Sequence, residues 1–169
     1  MSIPQSAGGP IQSRDDLVAH IASGSKPKSQ WRIGTEHEKF VYSLKDYKPL
    51  AYDTRPGIRQ LLEGMQRFGW KPIMEGRNII GLSLGGAALS LEPGGQFELS
   101  GAPMTHVHEA CEELNTHRHQ VREVCAEIGA GCLGVGFAPT WTPAETPVMP
   151  KGRYAIMRAY MPKVGGYGL

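Results

Sequence analysis

The chain has 169 residues, of which 40% are hydrophobic and 20% are charged, a composition typical of a soluble globular domain. Eighteen Lys and Arg residues against sixteen Asp and Glu residues give a net charge of +2, without the basic excess of a general nucleic-acid-binding protein. The uncharged stretch over residues 78–91 is shorter than the roughly 20 apolar residues that a membrane span needs. We therefore expect neither a nucleic-acid nor a membrane partner.

Helices and strands are predicted from capping residues and apolar periodicity. In chain order we expect a helix that begins at Ser13, a strand over 31–42, a helix over about 56–68, short strands within 72–100, a helix over about 105–128, a strand over 133–138 and a helix over 152–161. Strands that arrive in runs, without a helix after each one, favour antiparallel pairing. The predicted fold class is α+β, an antiparallel sheet with flanking helices.

Two glutamates are spaced by two residues in the first predicted strand. Alternate residues of a strand share a face, so Glu36 and Glu38 project the same way and His37 points to the other side. An isolated Glu-x-Glu pair is most often a solvated polar face. The pair therefore needs a second acidic group before it indicates a site.

The second acidic group lies in a predicted hairpin over 88–99. Residues 93–95, Pro-Gly-Gly, form a three-residue loop in which glycine accommodates positive φ angles. This loop fixes a register in which one face carries two polar pairs, Glu92–Gln96 and Ser90–Glu98. The opposite face carries four apolar side chains, Leu89, Leu91, Phe97 and Leu99. One sheet can therefore have an apolar face and an acidic face.

Carboxylates gathered on one face need compensation, because two unit charges 4 Å apart repel by about 4 kcal/mol at an effective dielectric constant near 20. Glu75, just before a Gly-Arg-Asn turn, is a candidate fifth member of the group. The charges can spread into water, take up protons or bind cations. An all-oxygen set without Cys or His suits Mg²⁺ or Mn²⁺. A metal–nucleotide site is therefore one hypothesis, beside a solvated acidic surface.

Basic residues follow in the segment 150–163. It contains four cations and two tyrosines: Lys151, Arg153, Arg158, Lys163, Tyr154 and Tyr160. The planar fork of arginine suits carboxylate and phosphate groups. Taken alone, such a pattern is more often a solvated basic helix.

Three other patterns carry no functional prediction. The Gly-x-Gly-x-x-Gly match at 129–134 follows a helix and precedes a strand, the reverse of the dinucleotide-binding order, so we interpret it as a helix stop and turn. Residues two apart on a helix lie on different sides, so two histidine pairs are expected at the surface, His106–His108 and His117–His119. Three cysteines without a visible secretory signal are typical of reduced thiols, which predicts a cytoplasmic location.

Three blocks of residues occur in a recognisable order. They are Gly34-Thr35-Glu36-His37-Glu38-Lys39-Phe40, the block from Ser90 to Pro103, and the block from Pro150 through Arg153, Tyr154 and Arg158 to Gly165. Together they resemble glutamate–cysteine ligase of the plant and proteobacterial type. The blocks are long and span most of the chain, so the resemblance is far more specific than a Glu-x-Glu pair.

The resemblance implies a fold similar to the catalytic domain of glutamine synthetase, in which glutamates on the concave face of an antiparallel sheet surround Mg²⁺. It also implies an ATP-dependent reaction. The γ-carboxylate of L-glutamate is phosphorylated, and the amine of L-cysteine attacks the acyl phosphate. The product is γ-glutamylcysteine, the first intermediate of glutathione synthesis.

The resemblance further implies roles for individual residues. The metal ligands would be Glu36, Glu38, Glu92 and Glu98. Arg153 and Arg158 would be the catalytic residues that neutralise substrate carboxylate or phosphate, and Tyr154 would line the substrate pocket with them. The expected small-molecule partners are glutamate, cysteine and ATP, and no oligomeric state is predicted.

Chains of this family are longer, and the present sequence stops inside a family block. We therefore interpret residues 1–169 as the N-terminal portion of one carboxylate–amine ligase catalytic domain, with an incomplete glutamine-synthetase-like sheet. Two alternatives stay open. The chain is a non-catalytic fragment, or it belongs to a ligase of the same fold that uses a different amine.

Overall fold

A computed structural model of the chain describes residues 9–165. Their helices are α1 (Arg14–Ala22), α2 (Ile58–Met65), α3 (Val107–Ile128) and α4 (Gly152–Val164). Their strands are β1 (Glu36–Ser43), β2 (Lys71–Glu75), β3 (Asn78–Leu84), β4 (Ala87–Leu91), β5 (Phe97–Ser100) and β6 (Ala130–Leu133). Residues 1–8, where the sequence shows no secretory signal, and residues 166–169 lie outside the described part of the chain.

The six strands form one antiparallel sheet in the order β2-β3-β4-β5-β1-β6. The halves of β1 pair with different neighbours, because residues 36–39 pair with β5 and residues 40–43 pair with β6. The remaining neighbours are joined by hairpins, β2–β3, β3–β4 and β4–β5. This architecture confirms the predicted α+β class with an antiparallel sheet.

The β4–β5 hairpin has the predicted register. Ser90 pairs with Glu98, and the Glu92 N–H donates to the Gln96 carbonyl at 2.8 Å. Gly94 and Gly95 of the loop have φ angles of 80° and 78°, in the left-handed region that favours glycine. The loop sequence therefore decides which side chains of the hairpin share a face.

The apolar face of the sheet packs against α2 and α3. The buried core combines residues of the hairpin with residues of both helices: Leu89, Leu91, Phe97, Leu99, Ile58, Leu61, Leu62, Met65, Val121 and Val124. The two helices approach closely at Gly64, where a Cβ would lie 2.5 Å from Cγ1 of Val124. Because strand side chains alternate, this packing leaves four polar residues on the opposite face, Glu36 and Glu38 of β1, Ser90 of β4 and Glu98 of β5.

Several element boundaries differ from the sequence-based expectation. The first strand begins at Glu36 rather than at residue 31, although Ile33 forms an isolated bridge to Met104. The strand expected over 133–138 is β6 at Ala130–Leu133, so most of the segment 129–134 is strand and not turn. Gly129 still ends α3, with a φ angle of 74°. The position of β6 is determined by its pairing with β1. The local sequence around residue 130 does not reveal this pairing, because β1 is distant in the chain.

Helix α1 has the predicted cap but not a buried apolar face. Ser13 and Asp16 form a capping box, yet the side chains of Leu17, Val18 and Ile21 are all exposed.

Within residues 9–165, no helix has both the length and the apolar character that crossing a membrane requires.

Candidate active site

Polar side chains of three neighbouring strands share the face opposite the core. Glu38 of β1 pairs directly with Glu98 of β5, and Glu98 pairs with Ser90 of β4. Glu36 lies two residues before Glu38 and pairs with Ser100. Directly paired residues lie on the same face with Cβ atoms about 4.5–5.5 Å apart. The register therefore places three of the four predicted metal ligands side by side.

Glu98 is the most buried of these carboxylates, with 6% of its surface exposed. Its Oε2 accepts a hydrogen bond from Ser90 Oγ at 2.9 Å, and its Oε1 accepts one from Ser100 Oγ at 2.7 Å. Glu38 is exposed, and its Oε2 accepts from Nε2 of Gln96. Each carboxylate oxygen of Glu98 thus has a hydroxyl partner and retains a lone pair for a further ligand.

The start of α4 reaches two other carboxylates. Nη2 of Arg153 lies 3.1 Å from Oε2 of Glu92, and the Gly152 N–H donates to Oε1 of Glu75 at 2.7 Å. A helix N-terminus favours negative charge. These contacts join Glu75 and Glu92 to α4, next to the hairpin that carries Glu98.

Tyr154 is buried, and its hydroxyl donates to the Leu91 carbonyl at 2.6 Å, with Oε2 of Glu92 at 3.5 Å. Burial, together with the charge of Glu92, raises the pKa of Tyr154 to about 12. The hydroxyl therefore stays protonated at neutral pH and holds α4 against the hairpin. Arg158 is exposed one turn beyond Tyr154, and among residues 9–165 it makes no ion pair with a glutamate.

Lys151 is a site residue that the sequence analysis treated only as part of a solvated basic segment. It is 4% exposed, and its Nζ donates to the Leu91 carbonyl at 2.8 Å. Burial lowers the pKa of Lys151, whereas three nearby carboxylates raise it, those of Glu92, Glu98 and Glu75. Its neighbours Met149 and Tyr154 are also buried. The segment around Lys151 is therefore buried against the hairpin, which the spacing of its charged residues alone does not predict.

The acidic face carries more negative than positive charge. Five carboxylates lie along it or at the start of α4, those of Glu36, Glu38, Glu75, Glu92 and Glu98, beside the cations Lys151 and Arg153. In the part of the chain from residue 9 to residue 165, no three His, Cys, Asp or Glu side chains form a ready-made metal site. The donor set is nevertheless all oxygen, which suits a hard divalent cation that also binds phosphate.

Lys39 and His37 lie on the other face of β1. Lys39 is 2% exposed, and its Nζ donates to Nδ1 of His37 at 2.8 Å. Burial lowers the pKa of Lys39 to about 8. This face of β1 therefore contributes polar groups to the interior of the protein.

His117 of α3 packs in the same interior region, so its predicted surface position is wrong. It is 2% exposed, and its ring stacks on Phe97 with centroids 6.0 Å apart. Burial lowers the pKa of His117 to about 3. Leu114, His117 and Val121 are spaced by three and four residues along α3, so helical periodicity contained the signal for burial.

Comparison with known proteins gives the family of this chain. The family model described as glutamate-cysteine ligase family 2 (GCS2) matches residues 32–169, which is most of the chain. The chain belongs to this family. The match includes all five carboxylates of the acidic face and the whole of α4.

Curated relatives in glutamate–cysteine ligase family 2 match 93% of this chain. Glutamate–cysteine ligase A, chloroplastic, of Oryza sativa subsp. japonica is 54% identical over 158 residues, which cover 32% of that protein. The chloroplastic glutamate–cysteine ligases of Nicotiana tabacum and Arabidopsis thaliana are 55% and 54% identical, each over 30% of its length. The chain thus spans about a third of the length of these relatives.

The names of these relatives contradict the predicted cytoplasmic location, because all three are chloroplastic proteins. That prediction was wrong because it rested on the number of cysteines and on the lack of a visible secretory signal. Neither feature separates one compartment with reduced thiols from another.

Proposed function

We propose that this chain supplies the acidic face of an ATP- and Mg²⁺-dependent ligase that joins the γ-carboxylate of L-glutamate to the amine of L-cysteine. The product would be γ-glutamylcysteine, the first intermediate of glutathione synthesis. The observation that carries the proposal is the direct pairing of Glu38 with Glu98, with Glu36 on the same face. The proposal is also supported by the similarity of this chain to proteins named glutamate–cysteine ligase, with which it is 53–55% identical.

The chemistry accounts for the need for ATP. A carboxylate is a poor electrophile, because an attacking amine would have to expel an oxide-like group. When a carboxylate oxygen of glutamate attacks the γ-phosphorus of ATP, ADP leaves and the carboxylate gains a phosphate leaving group. The amine of cysteine then attacks the acyl carbon and phosphate departs. Bound Mg²⁺ would neutralise charge on the transferring phosphoryl group.

Glu38 and Glu98 are the residues that we propose hold the metal ion. Mg²⁺ in nucleotide sites is commonly bound through one or two carboxylates and completes its coordination with water and phosphate oxygens. Two paired glutamates therefore suffice without a ready-made group of three acids. Ser90 and Ser100 orient the Glu98 carboxylate through their hydroxyl hydrogen bonds. Glu36 and Glu92 are the further ligands in this proposal.

Arg153 and Arg158 would bind the anionic groups of the substrates. The guanidinium of Arg153 is paired with Glu92 at 3.1 Å, and a substrate carboxylate or phosphate would compete for the same planar donors. Tyr154 supports this position through its ring, since the guanidinium carbon of Arg153 lies 5.1 Å from the ring centroid. The proposal also assigns the acidic face to one catalytic domain with a glutamine-synthetase-like sheet.

The test measures phosphate release and γ-glutamylcysteine formation from L-glutamate, L-cysteine, ATP and Mg²⁺. It is run with this chain and with the longest protein that its gene encodes, because the relatives are about three times as long. We expect dipeptide formation that requires every component. Phosphate release with other small amines but not with cysteine would overturn the substrate assignment, and dipeptide formation in excess EDTA would overturn the metal requirement.

A further inference from the structure

Helix α4 is held to the rest of the protein by the residues at its start. Of its 13 residues, all of them within the described part of the chain, only Tyr154 is buried. Lys151, which immediately precedes the helix, is 4% exposed, and Met149 before it is 1% exposed. The position of α4 therefore depends on the few contacts that residues 149–154 make.

Two of these contacts meet at one backbone oxygen, the carbonyl of Leu91 at the end of β4. This oxygen accepts hydrogen bonds from Nζ of Lys151 at 2.8 Å and from the Tyr154 hydroxyl at 2.6 Å. The next residue after Leu91 is Glu92, the carboxylate that pairs with Arg153 at 3.1 Å. Lys151 and Tyr154 thus attach the start of α4 to the peptide group beside Glu92, and the attachment places Arg153 at that carboxylate.

We infer that Lys151 is a positioning residue of the ligase, which holds the start of α4 at the Leu91 carbonyl and so places the guanidinium of Arg153 for binding the anionic group of a substrate. An ammonium that is removed from water needs hydrogen-bond acceptors, so the side chain of Lys151 stays at this carbonyl as long as it is buried. The inference rests on the proposed function, in which Arg153 binds substrate carboxylate or phosphate. Lys151 acts on the substrate only through Arg153.

The positive charge of Lys151 has a second effect on Arg153. Burial lowers the pKa of Lys151, the charge of Glu92 raises it, and the charge of Arg153 lowers it, so the three charged groups act on one another. The charge of Lys151 offsets part of the attraction of Glu92 for Arg153. A substrate anion can therefore compete with Glu92 for the guanidinium.

The substitution Lys151→Met tests the inference, because methionine is also long and unbranched but has no charge and no donor. In the longest protein that the gene encodes, we expect the amides of residues 152–158 to exchange hydrogen at least about tenfold faster, whereas the strands keep their wild-type rates. Hydrogen exchange is measured by mass spectrometry on the protein without substrates, so this readout does not depend on ligase activity.

Steady-state kinetics of the same variant show which anion Arg153 binds. The KM for either L-glutamate or ATP should rise at least about tenfold, because a charge-assisted hydrogen bond is weakened. The KM that rises distinguishes the carboxylate of glutamate from the phosphates of ATP. The kcat should change less than about threefold, since a contact made equally in the ground and transition states affects KM alone.

Three further variants separate positioning from a general loss of structure. Lys163→Gln is the matched control, because Lys163 is an exposed lysine on the same helix, and it should behave as wild type in both measurements. Lys151→Arg retains the charge and the donors and should recover part of the lost affinity. Tyr154→Phe removes the other donor to the Leu91 carbonyl and should speed the same exchange, which keeps the inference testable if Lys151→Met does not fold.

Two results of hydrogen exchange would overturn the inference: unchanged rates in α4, or faster exchange spread equally over α4 and the sheet. An unchanged KM for both substrates, or an equal rise in both, would overturn it as well. If the wild-type protein forms no γ-glutamylcysteine, the proposed function fails instead, and hydrogen exchange still decides whether Lys151 holds α4 in place.

Discussion

Glu98 combines two properties that usually conflict, burial and negative charge. It is 6% exposed, and its two oxygens accept hydrogen bonds from Ser90 and Ser100. The ammonium of Lys151 lies close enough for the charge of Glu98 to raise its pKa. Two hydrogen bonds therefore fix the orientation of this carboxylate, and our proposal that it binds Mg²⁺ depends on its charge as well as its shape.

Glu98→Gln removes that charge and preserves the shape. In the longest active form of the protein, we expect the Mg²⁺ concentration for half-maximal ligase activity to rise at least about tenfold. Stability should change little, since one of the two serine hydroxyls can rotate to accept from the amide. Activity is measured as a function of Mg²⁺ concentration, and stability by urea unfolding.

Glu127→Gln is the matched control, because Glu127 carries the same charge on α3 and pairs with Arg67 away from the acidic face. It should leave the Mg²⁺ dependence unchanged. An Mg²⁺ dependence of Glu98→Gln equal to that of the control would show that Glu98 is not a ligand.

His117 should make stability sensitive to acid. Its pKa in the folded protein, about 3, is below its ordinary value of 6.5, so the unfolded chain takes up a proton that the folded chain rejects. The neutral ring of His117 therefore adds its full contribution to the free energy of unfolding above pH 6.5. This contribution is lost as the pH falls toward 3, by at most about 1.4 kcal/mol per pH unit. His117→Leu should therefore flatten the pH dependence of the free energy of unfolding between pH 6.5 and 4.

His119→Leu provides the comparison, because His119 lies on the same helix and is exposed beside Glu123. Urea unfolding at several pH values should show the wild-type slope in this variant. If His117→Leu keeps that slope too, the ring is not held neutral in the folded protein.

At the scale of elements, local sequence predicted those parts of the fold in which one short segment determines the geometry. The loop at residues 93–95 fixed the register of β4 and β5, and with it the shared face of Ser90 and Glu98. The pairing of β1 with both β5 and β6 joins distant segments, so alternation alone did not predict it. For the same reason the position of β6 was wrong and the burial of Lys151 was not foreseen.

The α2–α3 contact gives a prediction that opposes helix propensity. Gly64→Ala should favour the helical conformation by about 1 kcal/mol. The added Cβ would, however, lie 2.5 Å from Cγ1 of Val124, and overpacking costs about 1–3 kcal/mol. We expect the variant to have a lower free energy of unfolding than wild type, measured with urea.

Val124→Ala tests the cause, because it removes the methyl group that the new Cβ would meet. In the double variant, the Gly64 substitution should cost less than it does in the wild-type background. If Gly64→Ala lowers the free energy of unfolding equally in both backgrounds, the contact with Val124 is not the cause of the destabilisation.

At the scale of the whole molecule, charge is unevenly distributed. The net charge is +2, yet five carboxylates gather along one face and the start of α4 beside two cations. Neighbouring carboxylates raise the free energy of the folded protein, and the unfolded chain separates them. A divalent cation that binds only the folded arrangement therefore stabilises the protein as well as serving the proposed reaction.

This separation of charge predicts that MgCl₂ raises the melting temperature more than NaCl does at equal ionic strength. At ten times the dissociation constant, binding contributes about 1.4 kcal/mol, which corresponds to a rise in melting temperature of roughly 3–6 °C for a chain of this length. NaCl supplies the comparison because it screens the carboxylates without occupying a site between them. In the double variant Glu38→Gln/Glu98→Gln the difference between the salts should disappear. If the salts act equally on the wild-type protein, repulsion on this face is relieved by screening alone and Glu38 and Glu98 do not bind the ion.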